Sequence, residues 1–195
     1  MKKFAPVLVI VGVLILGFLY FMNVKNKALL FSQATEKEWG NVNTAYQRRL
    51  DLIDNLVNTV KGAADFEKST LTAVIQARAS ATAVNIKADE LTPANIQKFQ
   101  AAQDQLSGAL SRLLVSVEKY PDLKANQNFL ELQAQLEGTE NRIKVERDRF
   151  NEVVKEYNQS ARTFPSNIFA GMFGFKEKPY FEAAVGAEKP VEVKF

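Results

Sequence analysis

The sequence predicts an all-α protein: an N-terminal transmembrane helix, then an antiparallel up-and-down four-helix bundle, then an aromatic-rich C-terminal tail. Three observations predict it. Phe4 to Met22 is a nineteen-residue stretch without a charged side chain. Proline is absent from Val7 to Thr92, and long tracts rich in Ala, Gln, Glu, Lys and Leu favour helix over strand. Beyond the apolar stretch, large apolar residues recur three or four apart, and in the last tract every seven.

The first element is the span. Nineteen helical residues rise roughly 28 Å at about 1.5 Å each, which matches the roughly 30 Å hydrocarbon core of a bilayer. Lys2 and Lys3 stand before it, and Lys25 and Lys27 behind. A cleavable secretory signal has an apolar core of only about 7 to 15 residues and ends in a small-x-small site. Asn23 to Leu30 offers no such site, so residues 1–23 read as an uncleaved single-pass anchor; a long signal peptide is the alternative. Lys2, Lys3 and the terminal amine nearly balance Lys25, Lys27 and Lys37, which leaves the orientation open.

Residues 24–164 form the predicted bundle, with helices at about 27–61, 65–86, 93–119 and 127–163. From Trp39, the positions Val42, Tyr46, Ile53, Leu56 and Val60 make one helix face, with Arg49 completing the row. Gly62 suits a left-handed helix end and Asp65 a cap for the next helix; one kinked helix through Gly62 is the competing reading. Asp89 to Pro93 makes a turn, with Thr92 as N-cap and Pro93 at the first helical position. Ile96, Phe99, Gln103, Leu106, Leu110, Leu113, Val117 and Tyr120 form the third stripe, which Pro121 stops. Asn126 or Asn128 caps the fourth helix. Its seam is Phe129, Leu136, Ile143, Phe150, Tyr157 and Phe164, with Leu132, Val153 and Ala161 between, until Pro165 ends it. Four such stripes joined by short turns bury one another most simply as an up-and-down bundle.

Composition excludes much chemistry. The chain has no histidine and no cysteine, which removes disulfides, most nucleophile–base pairs, zinc sites and the Glu-x-x-His di-metal pattern. Carboxylates at helical spacing, Asp51 with Asp54 and Glu137 with Glu140, could hold a hard cation. Solvation or pairing with nearby Lys and Arg, as of Glu140 with Lys144, is the plainer reading. Ala170 to Gly174 has two glycines but lacks the Lys-Ser/Thr ending of a phosphate loop. No metal, cofactor, small-molecule substrate or catalytic residue is expected. Lys2 and Lys3 precede the span and all 22 acidic residues follow it, so the soluble part is close to neutral. Without a long basic run, nucleic acid is not an expected partner.

Several separated motifs carry a resemblance. Tyr120-Pro121-Asp122-Leu123-Lys124-Ala125-Asn126-Gln127-Asn128-Phe129, then Leu132-Gln133 and Thr139-Glu140-Asn141-Arg142-Ile143, resemble the LemA family of bacterial membrane-anchored helical proteins. Arg149-Phe150-Asn151-Glu152, Tyr157-Asn158, Phe164-Pro165 and Gly174-Phe175 before Tyr180-Phe181 continue the likeness. Upstream, Trp39, Tyr46 to Arg49, Leu52 to Val57 and Val60-Lys61-Gly62 fit the same family. Two positions depart: Asp54 stands where members often have proline, and Phe66 where a histidine is often seen. The resemblance implies a single span carrying a helical bundle and no defined activity.

Two candidate sites follow. Polar residues interrupt the seams: Arg49 in the first helix, and Thr139, Glu140, Glu146 and Arg147 in the fourth. Arg49, Glu140 and Arg147 are the candidates for a buried ionic layer that sets alignment, the alternative being that they reach solvent at the seam's edge. After Pro165, Phe169, Phe173, Phe175, Tyr180 and Phe181 gather near lysines, a composition suited to a membrane boundary or to a partner. The alternative is a strap filling a groove of the bundle. The expected protein is a non-enzymatic scaffold or adaptor on the bacterial cytoplasmic (inner) membrane, bound to lipid through residues 4–22 and to other membrane or envelope proteins. A lipid-acting protein working through its tail is the rival, and a sensory ectodomain a weaker third reading.

Overall fold

The computed structural model describes residues 5–63 and 66–182, with side chains from Leu8 onward. Among them the secondary structure is entirely helical. Helix α1 runs unbroken from Ala5 to Lys61, so the apolar stretch and the first bundle helix are one element. Nothing between Met22 and Lys27 asks for a break, since Asn23 and Val24 are tolerated in helices and no glycine or proline intervenes. Helix α2 spans Lys68–Ala83, α3 Pro93–Val117, α4 Pro121–Lys124, α5 Gln127–Arg162 and α6 Ser166–Met172.

Helix ends follow the sequence chemistry closely in two places. The Thr92 hydroxyl accepts from the Asn95 amide at 3.2 Å, with Pro93 opening α3. Of the two asparagines before α5, Asn126 is the cap, its side chain accepting from the Phe129 amide at 3.2 Å. Two ends differ from expectation. α1 stops at Lys61, but Gly62 keeps a negative φ; the positive φ, 75°, belongs to Gly174 beyond α6. Asp65, the expected cap, lies outside the described residues. α5 ends at Arg162, so Phe164 falls off the seam and is exposed. Val154 is fully buried in the stripe where Val153 was expected, and Val153 is only half-buried.

Cross-contacts give the order of directions. Asp54 pairs with Arg78, and the Trp39 indole reaches the Ile86 carbonyl at 2.9 Å, so α2 runs down against α1. Phe99 lies beside Trp39 while Tyr120 meets Phe66 at the far end, so α3 runs up. Glu140 and Phe150 lie level with Arg49 and Trp39, so α5 runs down again. These contacts make an up-down-up-down bundle. The core has two parts. At the tip far from the apolar stretch, Leu52, Ile53, Leu56, Val60, Val74, Leu106, Leu113, Val117 and Phe129 form a mainly aliphatic cluster. Nearer the stretch, Trp39, Val42, Tyr46, Ile86, Ile96, Phe99, Phe150 and Phe181 form an aromatic one.

Candidate functional site

Arg49 sits where the two clusters meet. Its side chain is only 3% exposed, although its residue type favours solvent. One Nη1 contact is with Glu140 Oε2 at 2.9 Å, another with Ser107 Oγ at 3.1 Å, and Nη2 donates to Gln103 Oε1. The guanidinium also lies over the Tyr46 ring, 5.1 Å from its centre, which adds a cation–π attraction. Nε has no hydrogen-bond partner among the described residues. Glu140 is 57% exposed, so the pair is half in water: a buried cation tied to a carboxylate at the rim. Burial raises the Tyr46 phenol above its ordinary pKa, with Arg147 and Arg49 pulling the other way.

Arg147 takes a different role. It lies 4.8 Å over the Phe181 ring and donates to the Glu182 carbonyl at 2.9 Å. The structure therefore places Arg49 and Glu140 together and Arg147 on the tail. Of the other polar residues in the fourth-helix seam, Thr139 turns back on the Gln135 carbonyl at 2.8 Å. Glu146 is buried between Arg142 at 3.6 Å and Arg149 at 3.3 Å. The carboxylate pairs are engaged elsewhere: Asp51 accepts from Gln47, Asp54 pairs with Arg78, and Glu137 accepts from Gln133. Glu140 takes Arg49 as its partner, across the bundle.

The tail divides into two segments with different destinations. From Ser166 to Phe175 it returns to the apolar stretch. Phe169 packs edge-on against Tyr20 and Phe21, Phe173 meets Phe21 at 4.6 Å, and Phe175 lies against Phe173 at 6.1 Å. Lys25 stands over the Phe173 ring at 5.8 Å. From Lys176 to Glu182 the chain is extended and lies along α5. Phe181 is buried among Trp39, Phe99 and Phe150, whereas Tyr180 is exposed.

The strap is held by its backbone. Asn158 donates to the Lys178 carbonyl and accepts from its amide, both at 2.9 Å. Seven residues earlier on the same helix face, Asn151 does the same for Phe181, at 3.0 and 2.8 Å. The Tyr157 hydroxyl takes the Lys176 carbonyl at 2.9 Å, and Gln100 the Glu182 carbonyl at 3.1 Å. With no neighbouring strand among the described residues, these side chains take the place of a sheet partner for the strap's backbone groups. Burial holds the Lys178 ammonium below its ordinary pKa, with Glu36 opposing, and raises the Tyr157 phenol. The sequence reading missed both asparagines as clamps. Their signal was the heptad spacing of two polar residues beside the seam, one preceding Glu152 and one following Tyr157.

Together these features define an all-helical bundle led by one helix long and apolar enough to cross a membrane. The pattern of the LemA family matches residues 38–195, from just before Trp39 through the whole bundle and strap, and the chain belongs to that family. It is 25% identical over 174 residues to Protein LemA of Metamycoplasma hominis, which covers 88% of this chain and 76% of that one. It is also 29% identical over 90 residues to Magnetosome protein MamQ 2 of Paramagnetospirillum magneticum and to Magnetosome protein MamQ of Magnetospirillum gryphiswaldense. Those alignments cover 46% of this chain and 33% of each relative.

Proposed function

We propose that this protein is a non-catalytic scaffold or adaptor, tethered by a single span to the bacterial cytoplasmic membrane, whose bundle recruits other membrane or envelope proteins. The observation that carries the reading is α1. One helix of 57 residues, roughly 85 Å at about 1.5 Å per residue, leads from the apolar stretch to the bundle's far tip without a joint. A flexible linker would let a domain search the surface; a continuous helix presents it at a set height and angle. The side chains from Leu8 to Leu19 that point out of the structure are exposed and apolar, as lipid-facing groups are.

The interior supports a structural role over a chemical one. Of the buried polar groups, Arg49, Gln103 and Asn158 are tied to other parts of the chain, and Thr35, Thr139 and Glu146 to neighbours on their own helices. The test is photo-crosslinking in cells of the full chain with a reactive residue at Val115, exposed at the far tip, followed by mass spectrometry. Capture of the same proteins in repeated experiments, retained when Tyr180 is changed to Ala, is the expected result. Recovery of full-length chain in the aqueous fraction without detergent overturns the tether, and crosslinks no richer than those from a cytosolic control overturn the adaptor.

A further inference from the structure

The outward face of α6 and of the turn before it is apolar and uncovered. Phe164 is 77% exposed, Ile168 55% and Met172 74%. Ile168 and Met172, four residues apart in α6, share one side of the helix, and Phe164 is exposed in the turn that leads into it. The other side of the segment holds Phe169 and Phe173 against α1, with Ala170 buried.

The level of this face in the molecule is set by a polar contact. Ser166 Oγ lies 3.1 Å from the Tyr20 hydroxyl, and Tyr20 is two residues inside the charge-free stretch that ends at Met22. At about 1.5 Å per residue the turn at Phe164 to Ser166 reaches roughly 3 Å inside that end. In water, large apolar side chains crowded on one short segment call for a cover. At the boundary between hydrocarbon and headgroups they are the usual composition of a helix lying in the interface. Lys25, Lys27, Arg162 and Lys176 are exposed near the same level, with Glu177 paired to Arg162, so the rim is net basic and suits anionic headgroups.

We propose that α6 and the preceding turn form a second membrane contact, an interfacial element lying in the leaflet beside the span, with Phe164, Ile168 and Met172 in lipid. These are not the residues that aromatic content selects: Phe169 and Phe173 brace the anchor, and Phe181 belongs to the core. The inference rests on the reading of residues 4–22 as a span. It makes the attachment two-sided, so that the bundle is held against tilting as well as against escape.

The absence of cysteine makes the test direct. Single cysteines in place of Leu14, Ile168, Met172 or Val115, each in the full chain, carry an environment-sensitive dye. The proteins are reconstituted into vesicles of phosphatidylethanolamine and phosphatidylglycerol containing lipid spin-labelled on the acyl chain. Emission of Trp39, the single tryptophan, reports that each variant is folded. The labels at 168 and 172 are expected to be quenched to the same order as the label at 14 and several-fold more than the label at 115. If the label at 14 is quenched while those at 168 and 172 behave like 115, the interfacial contact is overturned and the span stands. If the label at 14 is not quenched either, the span fails and the inference with it. Burial of this face against a second copy of the chain shields 168 and 172 from lipid and gives the first of those negative results.

Discussion

The two halves of the bundle solve the same problem with different materials. At the far tip four helices run side by side, and Leu, Ile, Val and Ala from all of them fill the interior. In the half nearer the apolar stretch α2 has ended at Ala83 and α3 begins only at Pro93. There α1 and α5 continue with only the first turns of α3, which add Ile96 and Phe99, and the remaining volume is supplied by Ile86 and Leu91 of the connecting segment and by Phe181 of the strap. Aliphatic side chains suffice where helices are close neighbours; where a helix is missing, large rings and a returning chain take its place. Arg49 marks the change from one regime to the other.

This contrast can be broken from the aromatic side first. Trp39→Ala removes the ring around which Phe99, Phe150 and Phe181 gather and frees the Ile86 carbonyl. We expect a loss of about 3–5 kcal/mol, read as a lowered Tm, with the strap released as well. Phe181→Ala should cost less, no more than about 3 kcal/mol, because the strap can detach without opening the helices behind it. Its signature is early proteolysis within Lys176 to Glu182 and altered Trp39 emission at temperatures where the helices remain intact.

The boundary residue sharpens the comparison. Arg49→Met leaves Glu140 free to turn to water but strands the buried Gln103 amide, so we expect a loss of about 1–3 kcal/mol in thermal or urea unfolding. Adding Gln103→Leu to Arg49→Met should recover much of it, since an apolar layer then joins the two clusters. An unchanged Tm for Arg49→Met would refute the view that the layer is held together by its polar contacts.

The smallest effect concerns pH. Lys178 is half-buried beside Tyr157 and 3.3 Å from Ser32, and its folded pKa lies below the unfolded value. The unfolded chain therefore binds more protons between those two values, and stability from this group rises with pH across that window. Lys178→Met should flatten the rise that lies just below the ordinary lysine range, up to about pH 10, where tyrosine ionisation begins to act the other way. Tm measured across that range in both proteins checks it.

Much of this arrangement was legible because it is local. The stripes of α1, α3 and α5 are properties of residues three, four or seven apart, and proline and the caps mark their ends. Arg49 stood out as a cation in an apolar row, and Glu140 as a carboxylate in another. What escaped was contact between distant parts of the chain. Arg147 follows Glu140 by one heptad and shares its face, but a heptad is about 10 Å along the helix, which puts it on the strap instead. Phe164 continued the period of the seam, yet periodicity carries no information about where the helix stops. Nothing local showed that Asn151 and Asn158 receive a backbone, because the groups they bind lie 30 and 20 residues further on.

The unbroken course of α1 also sets a phase. Each residue turns the helix by about 100°, so the azimuth at which Tyr20 and Phe21 leave the axis is locked to that of Trp39 and Arg49. One residue inserted between Val24 and Leu30 would swing the apolar stretch by that angle and carry both rings away from α6. The same coupling works in the other direction: a rotation of the far tip about the helix axis is carried along α1 to the apolar stretch, because no break in the helix separates them.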